Sequence, residues 1–195
     1  MKKLNIGIDF DGVIVDSERI FRYIVEKLYY FKYGRKPRTR RYRQIQKCFP
    51  PHFTSEMLQL VMDNIKQITQ DAPILPGAVE ILKMLRAHGH KLFLVTARGI
   101  YDEEKEIDCT LKRLNKLGIE FDGFFWKASD KTKVCLENNI DVIIDDCDDN
   151  CTSTAAAGIK TLFFRDKTVR KLPKKPCLIE VDNWMHIYTE IISLS

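Results

Sequence analysis

The chain has 195 residues, 45% of them hydrophobic and 30% charged. That balance supports one packed domain with room for a small insertion, and it excludes a disordered chain. The net charge of +5 leaves phosphorylated ligands open as partners, and no apolar run approaches the roughly 20 residues a membrane span needs.

Residues 4–9 read as a first buried strand. Residues 17–33 read as a helix with Ile20, Ile24, Leu28 and Phe31 on one face, capped by Ser17 or by Asp16. Residues 34–72 break this rhythm. Pro37, Pro50 and Pro51 interrupt the segment, a helix-like stretch covers 54–69, and no strand pattern appears before Pro73 and Pro76 mark a return. A helical pattern then covers 77–88, closed by Gly89, and 91–95 reads as a strand. Residues 102–117 form a helix closed by Gly118, and 121–126 a short strand. A helix over 131–138, a strand over 142–145 and a helix over 150–157 closed by Gly158 follow. Residues 160–164 are the last clear strand, and Asp182 or Asn183 caps a terminal helix to about residue 192.

This alternation predicts an α/β domain, a Rossmann-like and mainly parallel sheet with helices on both faces. The expected division is a core of residues 1–33 and 73–195 with a small helical insertion over 34–72; residues 17–33 can be assigned to either unit. Basic residues gather at 32–43 and 165–175. A solvated surface accounts for both stretches, so nucleic-acid binding is not expected as the main role. The six cysteines form no CxxC pair, and Cys147 and Cys151 lack nearby Cys or His ligands for zinc. Reduced cysteines and the lack of a signal-like start fit a cytoplasmic protein.

The chemistry begins at Asp9-Phe10-Asp11-Gly12-Val13. Residues two apart on a strand point the same way, so two carboxylates emerge together at the carboxyl edge of the sheet. Open α/β folds place ligands at that edge. On its own the motif could be an Asx-turn ending a strand. Three later features add weight. The strand over 91–95 ends in Thr96-Ala97-Arg98, where a hydroxyl can hold a phosphate oxygen. Lys131 opens a helix and can neutralise phosphate as a point charge. The buried strand over 142–145 runs into Asp145-Asp146, an acid pair that suits a hard cation such as magnesium.

Acid pair, hydroxyl, lysine and acid pair, in that order, resemble the four motifs of the haloacid dehalogenase-like (HAD) hydrolases. The resemblance covers about residues 4–164 apart from the insertion. It implies a phosphatase in which Asp9 is the nucleophile and Asp11 the general acid and base. It implies Mg2+ held by Asp9, the Asp11 carbonyl and the acid pair, with Asp146 the favoured direct ligand and Asp145 direct or through water. Thr96, Ala97 and Lys131 would hold the phosphoryl oxygens. Arg98 would contact substrate or pair with Asp102 or Glu103. The insertion occupies the position of one type of cap. Residues 130–149 and the ending Val181-Asp182-Asn183-Trp184 are similar to 5'(3')-deoxyribonucleotidases, which implies a nucleoside monophosphate as substrate, although those enzymes carry Thr-Ser-Pro where this chain has Thr96-Ala97-Arg98. Phe49, His52 and Phe53 could then stack on a base. The opening over 9–18 is also similar to sugar-phosphate mutases and phosphatases, which form the alternative. A non-catalytic phosphate- or nucleic-acid-binding module is a third reading, but it has no need for both Asp9 and Asp11.

Overall fold

The computed structural model describes residues 2–35, 51–164 and 172–195. Six strands form one sheet: β1 (Asn5–Ile8), β2 (Lys91–Val95), β3 (Gly123–Phe125), β4 (Val142–Asp145), β5 (Lys160–Phe164) and β6 (Leu178–Val181). Their spatial order is β3-β2-β1-β4-β5-β6, and every pair is parallel. The helices are α1 (Ser17–Tyr33), α2 (Pro51–Asp63), α3 (Ile65–Asp71), α4 (Ala78–Ala87), α5 (Glu103–Leu117), α6 (Lys131–Glu137), α7 (Asp148–Ala156) and α8 (Trp184–Leu194). The α/β class, the parallel sheet and the helices on both faces are as the sequence predicts.

Alternation along the central strands builds a core on each face. Ile6 and Ile8, Leu92 and Leu94, and Val142 and Ile144 share one cluster with Leu82 and Leu85 of α4, Leu114 of α5, and Ile187 and Ile191 of α8. The intervening Phe93, Val95 and Ile143 face the other way, onto Cys135 of α6, Ile140 and Ile159. Gly7 leaves room there, since a Cβ on it would touch Ile140 and Val95. A separate cluster joins Val25 and Tyr29 of α1 to Val61 of α2 and Ile68 of α3.

Several expected details change. The sixth strand, β6, lies beyond the last strand read from the sequence. The single helix expected over 54–69 is two helices, parted at Asn64, whose side-chain amide donates to the Leu60 carbonyl. Ile20, Ile24 and Leu28 pack as expected, but Phe31 is 81% exposed and Val25 and Tyr29 take the buried face. Asp16 rather than Ser17 caps α1, accepting from the Arg19 N–H, and Asn183 caps α8. Val15, before α1, and Ile74, after α3, pair in an antiparallel bridge. The Asp16 N–H donates to the Pro73 carbonyl and the Leu75 N–H to the Ile14 carbonyl, which stitches the two linkers together. Among the described residues no helix is long and apolar enough to cross a membrane.

Candidate active site

Strand β1 lies at the centre of the sheet, and Ile8 is in register with Ile144 of β4. One residue on, Asp9 leaves the carboxyl edge beside Asp145. Lys131 Nζ lies between them, 2.8 Å from Asp9 Oδ2 and 2.6 Å from Asp145 Oδ2. All three side chains are buried. A lone charge at that depth would cost several kcal/mol, so one ammonium between two carboxylates makes the burial tolerable. Burial alone would depress the Lys131 pKa, but Asp145 and Asp9 outweigh it and raise it above the ordinary lysine value. Burial also dominates at Asp9, whose carboxyl is pushed up to about 7 although Lys131 pulls it down.

Asp145 also accepts two hydrogen bonds from its own end of the sheet. Its Oδ1 accepts from the Cys147 N–H at 2.7 Å, and the Asn150 amide donates to its Oδ2 at 3.2 Å. Asp146 turns toward the β1 end. Gly12 has φ +74°, and a Cβ on it would overlap the Asp146 carboxylate. The turn therefore needs glycine both for its left-handed backbone and for the space. Asp9, Asp145 and Asp146 each offer one carboxylate oxygen, and these lie within 4.8 Å of one another. Three carboxylates against one ammonium leave an anionic pocket whose donor set fits a small divalent cation such as magnesium.

Arg98 sits behind Asp11. Its Nε donates to Asp11 Oδ2 and one terminal nitrogen to Oδ1, both at 2.7 Å. The other terminal nitrogen donates to Thr69 Oγ1 at 2.7 Å and Thr110 Oγ1 at 3.0 Å. The guanidinium also lies 4.5 Å from the Phe10 ring centroid. The Arg98 side chain is 3% exposed and that of Asp11 33%, so Asp11 reaches the open side of the site and Arg98 does not. Burial would raise the Asp11 carboxyl, but the guanidinium holds it below the ordinary value. The expected partners of Arg98, Asp102 and Glu103, are occupied elsewhere: Asp102 caps α5, and Glu103 pairs with Lys127. A local acid loses to one 87 positions away because the fold brings β1 and β2 side by side.

Thr96 and Ala97 stand at the end of β2, next to β1. The Thr96 hydroxyl is buried and accepts from the Arg98 N–H at 3.3 Å, while Ala97 is exposed. The loop leading to Lys131 is fastened here, with Ala128 donating to the Thr96 carbonyl and Lys127 to that of Arg98. Asp130 then caps α6 and starts the helix that carries Lys131. The structure thus brings Asp9, Lys131, Asp145 and Asp146 together, links Asp11 to Arg98, and sets Thr96 and Ala97 on the neighbouring strand end. Sequence reading missed Thr69, Thr110, Asn150 and Glu106. Buried Glu106 accepts from the backbone of Gly99, Tyr101 and Asp102 and shapes the loop after Arg98. Its place one turn into α5, after the N-cap Asp102, is the signal that could have found it. Phe49, His52, Phe53 and most of the two basic stretches lie outside the described residues or side chains.

No family model matches this chain, and no curated protein matches it in sequence. Solved structures do match in fold. A haloacid dehalogenase-like family hydrolase from Streptococcus pneumoniae is 17% identical with a TM-score of 0.70, over 97% of this chain and 98% of that one. A predicted phosphoglycolate phosphatase from Haemophilus somnus is 13% identical with a TM-score of 0.66, over 98% and 99%. CbbY from Rhodobacter sphaeroides, in complex with xylulose 1,5-bisphosphate, is 11% identical with a TM-score of 0.62, over 94% and 95%. The fold expected from the four motifs is the fold observed.

Proposed function

We propose that this chain, which has the fold of the HAD hydrolases, is a magnesium-dependent phosphatase that cleaves a small phosphate monoester through an aspartyl-phosphate on Asp9. The observation that carries the reading is the buried Lys131 bridging Asp9 and Asp145, with Asp146 within reach, at the carboxyl edge of the central strands. Such a set of buried charges is expensive as mere structure. It becomes useful when a phosphoryl group and a cation enter it.

Each residue then has a role. Asp9 attacks phosphorus, and the bond from phosphorus to the leaving oxygen breaks. Asp11, when protonated on one oxygen, gives that proton to the leaving oxygen, and the Arg98 hydrogen bond to that Asp11 oxygen has to yield first. Asp11 later takes a proton from the water that attacks the aspartyl-phosphate, which releases inorganic phosphate and restores Asp9. Lys131, the Thr96 hydroxyl and the Ala97 N–H hold the phosphoryl oxygens. Asp9, the Asp11 carbonyl and Asp146 would hold magnesium. Asp145, already committed to Lys131, Cys147 and Asn150, joins directly or through water. Magnesium, when bound, offsets the repulsion between the phosphate and these carboxylates. Helices α1 to α3 share one apolar cluster, which supports reading residues 17–72 as a cap over the site.

For the substrate, the comparisons favour a sugar-phosphate or similar small organic phosphate. One neighbour is named a phosphoglycolate phosphatase and another holds a sugar bisphosphate. None of the three carries a nucleotidase name, so the nucleotidase reading rests on the motif resemblance alone. The test is phosphate release from a panel of sugar phosphates, small organic phosphates and nucleotides, with magnesium and with chelator, for the wild type and Asp9→Asn. Release that needs magnesium and disappears in Asp9→Asn is expected. Full activity in Asp9→Asn would overturn the mechanism, and an isomeric phosphate as the product would make the protein a mutase.

A further inference from the structure

Arg98 uses its guanidinium in a way the reaction above does not require. Its planar fork grips both oxygens of Asp11, a geometry that fixes the plane of a carboxylate as well as its place. Its other arm is anchored in two hydroxyls, Thr110 of α5 and Thr69 of α3. The Phe10 ring lies against it. Every Arg98 nitrogen already donates to a protein partner, Nε and one terminal nitrogen to Asp11 and the other to Thr69 and Thr110, so the guanidinium is committed before any substrate phosphate arrives. Asp11, one-third exposed, reaches the open side of the site. Thr69 belongs to the segment inserted between the two linkers, whereas Asp11 and Thr110 belong to the core. One buried cation therefore joins the insertion to the group that moves the proton.

We propose that Arg98 is a positioning residue that aims the Asp11 carboxylate at the leaving oxygen and ties that aim to helix α3 through Thr69. The proposal rests on the phosphatase reading. In the resting protein both Asp11 oxygens are held. When Asp11 is protonated, Arg98 keeps the bare oxygen and the protonated one faces the leaving group, so the proton passes from the carboxylic acid to the departing alkoxide along a fixed direction and leaves the carboxylate to Arg98. A lysine at position 98 supplies the charge but only a point donor, and cannot hold the plane.

The leaving group reads this role directly. A nitrophenolate departs without a proton, whereas an alkoxide needs one. We compare p-nitrophenyl phosphate with the best alkyl phosphate from the panel, using wild type, Arg98→Lys and Thr69→Val, and measure kcat, KM and melting temperature. In Arg98→Lys, kcat/KM for the alkyl ester, which reports the step that forms the aspartyl-phosphate, should fall about 10- to 100-fold further than kcat/KM for the nitrophenyl ester. Thr69→Val should shift the same ratio in the same direction by a smaller factor, and it carries the test if Arg98→Lys does not fold. An equal fall in kcat/KM for both esters, with a lowered melting temperature, would make Arg98 merely structural and overturn the proposal. An equal rise in KM for both esters with kcat unchanged would make it a substrate contact and overturn it too. Failure of the wild type to cleave either ester would instead overturn the phosphatase reading from which the proposal starts.

Discussion

Replacing Lys131 by methionine keeps most of the side chain's length and removes its charge. Lys131 is 3% exposed, and its ammonium lies 2.8 Å and 2.6 Å from two carboxylate oxygens. Without it, Asp9 and Asp145 remain buried side by side with no cation between them. Removing one partner of a buried ion pair costs about 3–5 kcal/mol. For a chain of this size, each 1 kcal/mol lowers the melting temperature by about 2–4 °C. Lys131→Met should therefore melt about 6–20 °C below the wild type. Urea unfolding followed by circular dichroism gives the free energy directly, with an unchanged slope as the check that the denatured state is the same. Adding Asp145→Asn to Lys131→Met should recover part of the loss, because only one unpaired anion then remains. Magnesium should recover part of it as well, and chelator should remove that recovery. A loss below about 1 kcal/mol, the size expected of an exposed pair, would refute the argument, since the three charges would then be solvated.

Two further expectations concern the edges of the site and the core. Gly12→Ala must place a side chain at φ +74° and displace the Asp146 carboxylate. It should cost about 1–2 kcal/mol in backbone strain and raise the magnesium concentration needed for half-maximal activity; an unchanged magnesium dependence would show that Asp146 is not a ligand. His90 is buried, and its Nδ1 accepts from the Leu4 N–H. Burial first, and then the charge of Lys3, lowers its pKa. Its stabilising contribution is therefore complete above the ordinary histidine value of about 6.5 and is lost as pH falls through the lowered folded value. His90→Asn should flatten the fall in unfolding midpoint on acidification below that value, and an identical pH profile in the variant would refute the assignment.

The chemical core was legible because each part announces itself locally. Buried strands such as Val142–Asp145 are apolar runs that end in acids, and Asp130 marks the start of α6 immediately before Lys131. What escaped was set by distance. Nothing near Arg98 in sequence names Asp11 as its partner, and two nearer acids looked adequate. Thr69 looked like the end of one long helix, because the break at Asn64 costs little when that residue's own amide caps the preceding turn. Strand β6 has only four residues, three of them half-buried. It is a strand because β5 offers it a parallel edge, not because its own pattern insists on it. The substrate lies furthest from legibility, since the four motifs address only the phosphoryl group and Phe49, His52 and Phe53 lie outside the described residues or side chains.

The bridge between Val15 and Ile74 has a bearing on how such a protein can change. Main-chain hydrogen bonds hold the stretches before α1 and after α3 at one spot, so the segment between them can change length while the strand register stays as it is. Its exchange carries inherited constraints: Arg98 needs the Thr69 hydroxyl, and Lys105 and Arg113 of α5 need the Met62 and Ala72 carbonyls.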